Sequence, residues 1–276
     1  MDKLHIKQQA FSLWKDCFGD DDAFIHRYLD YAMANSYFYF SEKNKDLVSF
    51  LSLIPISLDT KSGPLNGFYL YGVATSPEYR GQGEGKKLLS DALSVLQYDF
   101  VVTIPASESL FTYYRKQGFT NVLKRGIVTL SDQIREDQTY NPEQIFPDEP
   151  QVLFAKEAVL NRYNEFKWSY NHYLYLFGEY ERDDTSVLFF RTPEKSFNYL
   201  VLKEEDNRYL IQDTDLSMPK VMPALYCLDK PLTKQVCLIT SSDRSRSLDQ
   251  PYASVLFAAH IRNIDLSSAS LNLALD

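Results

Sequence analysis

Apolar residues recur along this chain in two rhythms, one helical and one strand-like. Ala10, Phe11, Trp14 and Phe18 fall on one face at helical spacing, and Gly19 stops the run. Asp20, Asp21 and Asp22 then offer N-caps to a second helix carrying Phe24, Ile25, Tyr28, Leu29 and Ala32. Strand-like runs follow at residues 37–40, 47–56 and 66–75, separated by turn signals at Lys43-Asn44-Lys45 and Gly63-Pro64. Leu88, Leu89, Ala92 and Leu96 then share a helical face, and residues 100–104 read as a strand.

Past this point the pattern changes. Residues 131–150 are polar and acidic and contain Pro142, Pro147 and Pro150, which marks a boundary between two halves. Beyond it, helices are expected over residues 152–166 and 170–181, and strands over 187–191, 199–203, 209–212 and 235–240. The expected organisation is one α/β unit over residues 1–135, a linker over 136–150 and a smaller α/β unit over 151–276. Two helices followed by a run of strands repeat the opening of the first unit.

Composition narrows the function classes. At 276 residues and 45% hydrophobic content, two cores of ordinary size are possible. A net charge of −8 argues against a nucleic-acid partner and favours cationic substrates such as amines. No run approaches the roughly 18 apolar residues of a membrane span, and polar residues follow Met1 where a signal peptide would need an apolar core. No membrane partner is expected. Three cysteines, Cys17, Cys227 and Cys237, are odd in number and lack CxxC spacing, which suits a reducing cytoplasm. His5, His26, His172 and His260 lie too far apart in sequence for metal-ligand spacing, so no metal is expected.

The densest chemistry lies at Val73-Ala74-Thr75-Ser76-Pro77-Glu78-Tyr79-Arg80-Gly81-Gln82-Gly83-Glu84-Gly85-Lys86, where a strand end runs through a proline turn into three alternate glycines. Glycine tolerates φ > 0, so successive N–H groups can turn onto an anion just before a helix N-terminus that adds its own donors. Arg80, Lys86 and Lys87 bring cations to the same place. A P-loop would need Gly-x4-Gly-Lys-Ser/Thr, and its spacing and hydroxyl are both missing. A dinucleotide turn would need an acidic residue closing a strand some twenty positions on, and Asp99 stands before a strand instead. Nine of the ten glycines lie at or before Gly126, so this loop has no twin in the second half.

What the loop does match is Arg/Gln-x-x-Gly-x-Gly/Ala entered from a Val-Ala-Thr strand. Together with residues 105–119 downstream, which look like that family's next helix and end in Tyr114-Arg115-Lys116-Gln117-Gly118-Phe119, it resembles the GNAT superfamily of N-acyltransferases over roughly residues 1–130. The resemblance implies a GNAT fold, a central mixed and mostly antiparallel sheet flanked by helices, with a second, degenerate GNAT-like half. It implies acetyl-CoA held by Val73, Ala74, Thr75, Arg80, Gly81, Gln82, Gly83, Glu84, Gly85 and Lys86, with a backbone N–H of the Val73-Ala74-Thr75 strand facing the thioester oxygen. It implies Tyr114 as the acid that protonates the leaving thiolate during direct attack by a primary amine of a small molecule or peptide. Two departures stand out: Ser107 occupies a position that is often asparagine, and residues 1–6 are too short and polar for the family's first strand. Glu84 is expected to face solvent. The base is open: Tyr69 and Tyr71 share a strand face, His26 begins the second helix, and Asp276 follows an apolar chain end. A second functional class, a non-catalytic acyl-CoA-binding or regulatory module with a protein-binding C-terminal half, would need the loop but not Tyr114.

Overall fold

The computed structural model describes residues 2–60, 62–130, 139–145, 166–182, 185–192, 197–228, 233–241, 250–261, 264 and 266. Its first elements follow their punctuation. The Asp2 carboxylate accepts from the His5 amide at 2.8 Å to start α1 (Lys3–Phe18), and Gly19, left-handed at φ 76°, returns its N–H to the Lys15 carbonyl to end it. Asp21 caps α2 (Asp22–Asn35) by accepting from the Phe24 amide. Residues 3–6 belong to α1, and among the described residues the sheet edge is formed by β1 (Tyr37–Lys43).

The first half continues through β2 (Asp46–Thr60), β3 (Gly63–Thr75), α3 (Glu84–Val95), β4 (Phe100–Thr103), α4 (Glu108–Arg115) and β5 (Thr120–Leu130). Then come β6 (Glu143–Ile145), β7 (Phe166–Trp168), α5 (Tyr170–Arg182), β8 (Thr185–Arg191), β9 (Phe197–Glu204), β10 (Arg208–Thr214), α6 (Met218–Tyr226), β11 (Gln235–Ser241) and β12 (Gln250–Phe257). The helix expected over residues 152–166 lies, up to residue 165, outside the described residues, and Phe166 opens β7. Helix α6 and strands β5, β6, β7 and β12 were not expected from the pattern.

The strands form one sheet in the order β1-β2-β3-β4-β12-β5-β11-β10-β9-β8-β6, with β7 continuing the β1 edge of β2. Pairings are antiparallel except β3 with β4 and β10 with β11, each joined by a crossover containing a helix, α3 or α6. The order is symmetric about its centre. Apart from β6 at the far edge, four strands on each side run outward from two middle strands that are exchanged: β12 lies against β4, and β5 against β11.

Helices α1, α2 and α5 cover one face, packing Trp14, Ile25, Tyr28 and Leu176 against Phe50, Ile54 and Tyr69. On the other face α3 and α4 set Leu88, Leu89, Ala92 and Tyr114 on Leu51, Leu53, Phe68 and Leu70. Burial from both sides accounts for β2 being buried without a break from Leu47 to Ile54, with only Ser49 and Ser52 polar, where alternation alone would leave one face exposed.

The halves also meet between α2 and α5. Arg27 Nε and Nη2 donate to the two Glu179 carboxylate oxygens, each at 2.7 Å. Deeper in, Tyr31 and His172 share a hydrogen bond of 2.6 Å at Nδ1, and His172 stacks on Trp168. Burial lowers the His172 pKa to about 3, so the folded state holds a neutral ring where the unfolded chain would bind a proton near pH 6.5. Stability is therefore full above that pH and is lost as pH falls toward 3. Lowering pH from 6.5 to 5 is expected to cost about 2 kcal/mol through this residue. Urea melts at the two pH values check it: His172→Phe should flatten the slope, and an unchanged slope would assign it to other groups.

Candidate functional site

Strand β3 changes character at Gly72. Ser52 of β2 faces Tyr71 and Phe50 faces Ala74, so Gly72 and Val73 together oppose Leu51 in a β-bulge. Gly72 takes φ 61°, and a Cβ there would stand 2.7 Å from the Trp14 ring, so conformation and space both require glycine. On its other edge β3 pairs with β4 only from Gly67 to Tyr69. Thr103 Oγ1, donating to the Leu70 carbonyl at 3.0 Å, is the next tie. Past it β3 runs on to Thr75 while the other wall turns into α4, and a wedge opens at the carboxyl ends of two parallel strands, where ligands of open α/β sheets lodge.

The glycine loop crosses the mouth of this wedge. A 3-10 turn at Pro77–Tyr79 leads to Gly81 at φ 76° and Gly83 at φ 85°. Both would have open space for a side chain, so the left-handed backbone alone selects glycine. Gly83 is the N-cap of α3 and no side chain caps it. The first-turn amides of α3 lack intrahelical partners and sit at the positive end of the helix dipole, the physical basis of an anion site. Gly85 is glycine for space: a Cβ there would lie 3.0 Å from Thr75 Oγ1, 3.6 Å from the Tyr113 hydroxyl and 4.0 Å from Ser49 Oγ. The loop, the uncapped helix start and this hydroxyl-lined recess fit a phosphate-bearing group.

The side chains of the loop are largely turned away from it. Arg80 donates through Nε to the Thr75 carbonyl at 3.0 Å and through Nη2 to Cys17 Sγ at 3.2 Å. Gln82 donates back to the Glu78 carbonyl at 2.7 Å. Lys86 is exposed. Glu84 does not face solvent as expected: Lys43 of β1 holds it at 2.6 Å and its side chain is 17% exposed. The first turn of α3 lies beside the β1 strand, and Lys43 offsets the carboxylate that would otherwise oppose an anion. Ala74 is buried, its carbonyl accepting from Ser49 Oγ at 2.7 Å, and Ser49 Oγ lies 3.0 Å from Thr75 Oγ1.

Tyr114 lies on the other wall, 5% exposed, inside the apolar cluster beneath α3. Burial is the main cause that raises its phenol well above the ordinary value, Tyr113 adds to it, and the Thr103 hydroxyl opposes it. Such a phenol keeps its proton at neutral pH and can only act as an acid. Ser107 caps α4, its hydroxyl accepting from the Leu110 amide. Of the residues considered for the base, Tyr69 is core, edge-on to Trp168, and Tyr71 is half-buried between Trp14 and Tyr28. His26 is exposed and stacks on Phe11 of α1, away from β3. Asp276 lies outside the described residues. Three residues that converge here, Ser49, Thr103 and Tyr113, were missed. Tyr113 stands one residue before the signature that identified Tyr114, whereas the other two carry no local signal.

Residues 5–122 match the family described as acetyltransferase (GNAT) domain. No curated protein matches at a significant level. Among solved structures, a conserved protein of unknown function from Enterococcus faecalis V583, described as a probable N-acyltransferase, is similar at a TM-score of 0.75 and 14% identity, over 93% of this chain and 71% of that one. A GCN5-related N-acetyltransferase from Anabaena variabilis gives 0.70 at 16% identity over 92% and 70%, and one from Kribbella flavida 0.66 at 12% over 93% and 68%. At these identities the likeness is one of fold.

Proposed function

We propose that this chain, whose residues 5–122 match the acetyltransferase (GNAT) domain family and whose fold is that of the similar N-acetyltransferase structures, is an acyltransferase that moves the acetyl group of acetyl-CoA to a primary amine of a small molecule or peptide. The observation that carries this reading is the uncapped start of α3, with left-handed Gly81 and Gly83, set across an open wedge from Tyr114. In it the loop amides from Gly81 to Lys86 hold the diphosphate. The bulge at Gly72 and Val73 withdraws backbone from the ladder, which frees an N–H to meet the charge that develops on the thioester oxygen. The amine, protonated in water with a pKa near 10, attacks once deprotonated. Tyr114 gives its proton to the departing sulfur. The net charge of −8 favours encounter with a cationic acceptor.

The second half enters the proposal as a degenerate GNAT-like unit over residues 151–276, joined through residues 136–150. The order β8-β9-β10-α6-β11 repeats β1-β2-β3-α3-β4, with the parallel pair and its crossover helix at the same place in each, and β12 then follows β11 as β5 follows β4 after α4. The turn before α6 offers Asp215-Leu216-Ser217 where the first half has its glycines, so one donor site per chain is proposed. A cytoplasmic setting belongs to the same proposal and is supported by Cys17, Cys227 and Cys237 all being free thiols. Among the described residues no helix is long and apolar enough to cross a membrane.

Two measurements test the reading. Acetyl-CoA at a hundredfold excess over its dissociation constant is expected to raise the melting temperature by roughly 5 °C or more. Thiol release from acetyl-CoA across a panel of polyamines, aminoglycosides, amino acids and peptides is expected to single out an amine class. No thermal shift would overturn the acyl-CoA site. A shift without thiol release from any amine would favour the non-catalytic binding module.

A further inference from the structure

Neighbouring residues on a helix project about 100° apart, so Tyr113 and Tyr114 serve different parts of the wedge. Tyr114 turns into the apolar cluster beneath α3. Tyr113 instead reaches from α4 to the start of α3, where its hydroxyl lies 3.6 Å from the point a Gly85 Cβ would occupy. The other two oxygens around that point already have work: Ser49 Oγ donates to the Ala74 carbonyl and lies within hydrogen-bond distance of Thr75 Oγ1. Among the described residues the Tyr113 hydroxyl has no hydrogen-bond partner. Its ring is fixed edge-on to Tyr114, with centroids 5.1 Å apart. Burial raises its phenol above the ordinary value, so at neutral pH it stays a donor.

An O–H donor without a partner therefore arrives from one wall of the wedge at the recess beside the first-turn amides of the other. We propose that Tyr113 is an anchoring residue for the donor substrate, its hydroxyl hydrogen-bonding an oxygen of the diphosphate held at the start of α3 and so tying α4 to α3 when acyl-CoA is bound. The inference rests on the acyl-CoA reading above. It gives adjacent tyrosines separate tasks: Tyr113 acts in binding, and Tyr114 in the proton transfer. A hydrogen bond to a charged oxygen carries enough energy that its loss weakens binding about ten- to hundredfold.

The test is isothermal titration of CoA, ADP and pantetheine into the wild-type chain, Tyr113→Phe and Tyr114→Phe. Phenylalanine keeps the ring that packs on Tyr114. Tyr113→Phe is expected to bind CoA and ADP at least tenfold more weakly with pantetheine unchanged, and Tyr114→Phe to bind CoA within about twofold of wild type. Should Tyr113→Phe melt well below wild type without ligand, Tyr113→Met, which fills the gap without a donor, gives the same comparison. Equal or tighter CoA binding by the Tyr113 variants, or a loss confined to pantetheine, overturns the anchor. A wild-type chain that binds none of the three overturns the acyl-CoA reading itself.

Discussion

Replacing Tyr114 by Phe is expected to lower the acyl-transfer rate by about 10² to 10⁴ while leaving donor affinity nearly unchanged. The size follows from what the phenol does in the reading proposed above. A CoA thiolate leaving into an apolar recess would carry its charge with little solvent to receive it, and a positioned proton removes that cost. The Tyr114 ring belongs to one apolar cluster with Leu70, Leu88, Leu89 and Phe119. The same burial that raises the phenol's pKa keeps it loaded with a proton at neutral pH, so activity should rise with pH as the acceptor amine is deprotonated and should not fall through loss of the acid in the ordinary tyrosine range. Phenylalanine removes one oxygen and leaves the packing, so folding should survive. Thiol release at saturating acetyl-CoA, with wild type and variant run side by side, checks it. A variant as fast as wild type would remove Tyr114 from the chemistry and leave the loop as a binding site only.

The parts of this site that could be read from sequence are those fixed by local rules. Gly81 and Gly83 are glycines because the backbone is left-handed there, Gly19 because a helix ends, and Asp21 because a helix begins; each is decided within a few residues. Tyr114 was singled out because the residues after it form a signature. What escaped depends on contacts between distant positions. Glu84 meets Lys43, which lies 41 positions earlier, so the solvent-facing expectation failed on a partner no local pattern shows. His172 meets Tyr31 across 141 positions. Helix α6 has Pro223 inside it, which reads as a breaker, yet Val221, Ala224 and Leu225 bury a face that outweighs the lost donor. Strand β12 begins Gln250-Pro251 and then runs nearly unbroken through apolar residues, without alternation, because both of its faces are covered: Ala253 and Val255 are buried in one cluster, Ser254 is buried and Leu256 packs against another.

Strand β12 also has the other large expected effect: a chain shortened to residues 1–249 should fail to form a cooperative fold, and so should residues 1–135 alone. Residues Ser254 to Phe257 pair with Thr103 back to Phe100 of β4, and Gln250 to Val255 pair with Arg125 back to Thr120 of β5. Without β12 the two strands have no common neighbour. Strand β4 then becomes an open edge four residues long, β5 keeps only β11, and in the 1–135 fragment it loses that as well. The buried surface of Ala253, Ser254, Val255 and their partners is lost together with two ladders of backbone hydrogen bonds, against a net stability of only about 5–15 kcal/mol for a typical domain. Far-UV circular dichroism and thermal melts of the two truncations check this, with residues 136–276 co-expressed in trans as the rescue. A cooperative melt from residues 1–135 alone would make β12 dispensable. If the fragment melts only with its partner present, one wall of the acyl-CoA wedge, β4 with Thr103 at its end, is held in register by a strand from the far end of the chain, and the second half has a reason to exist that requires no second cofactor.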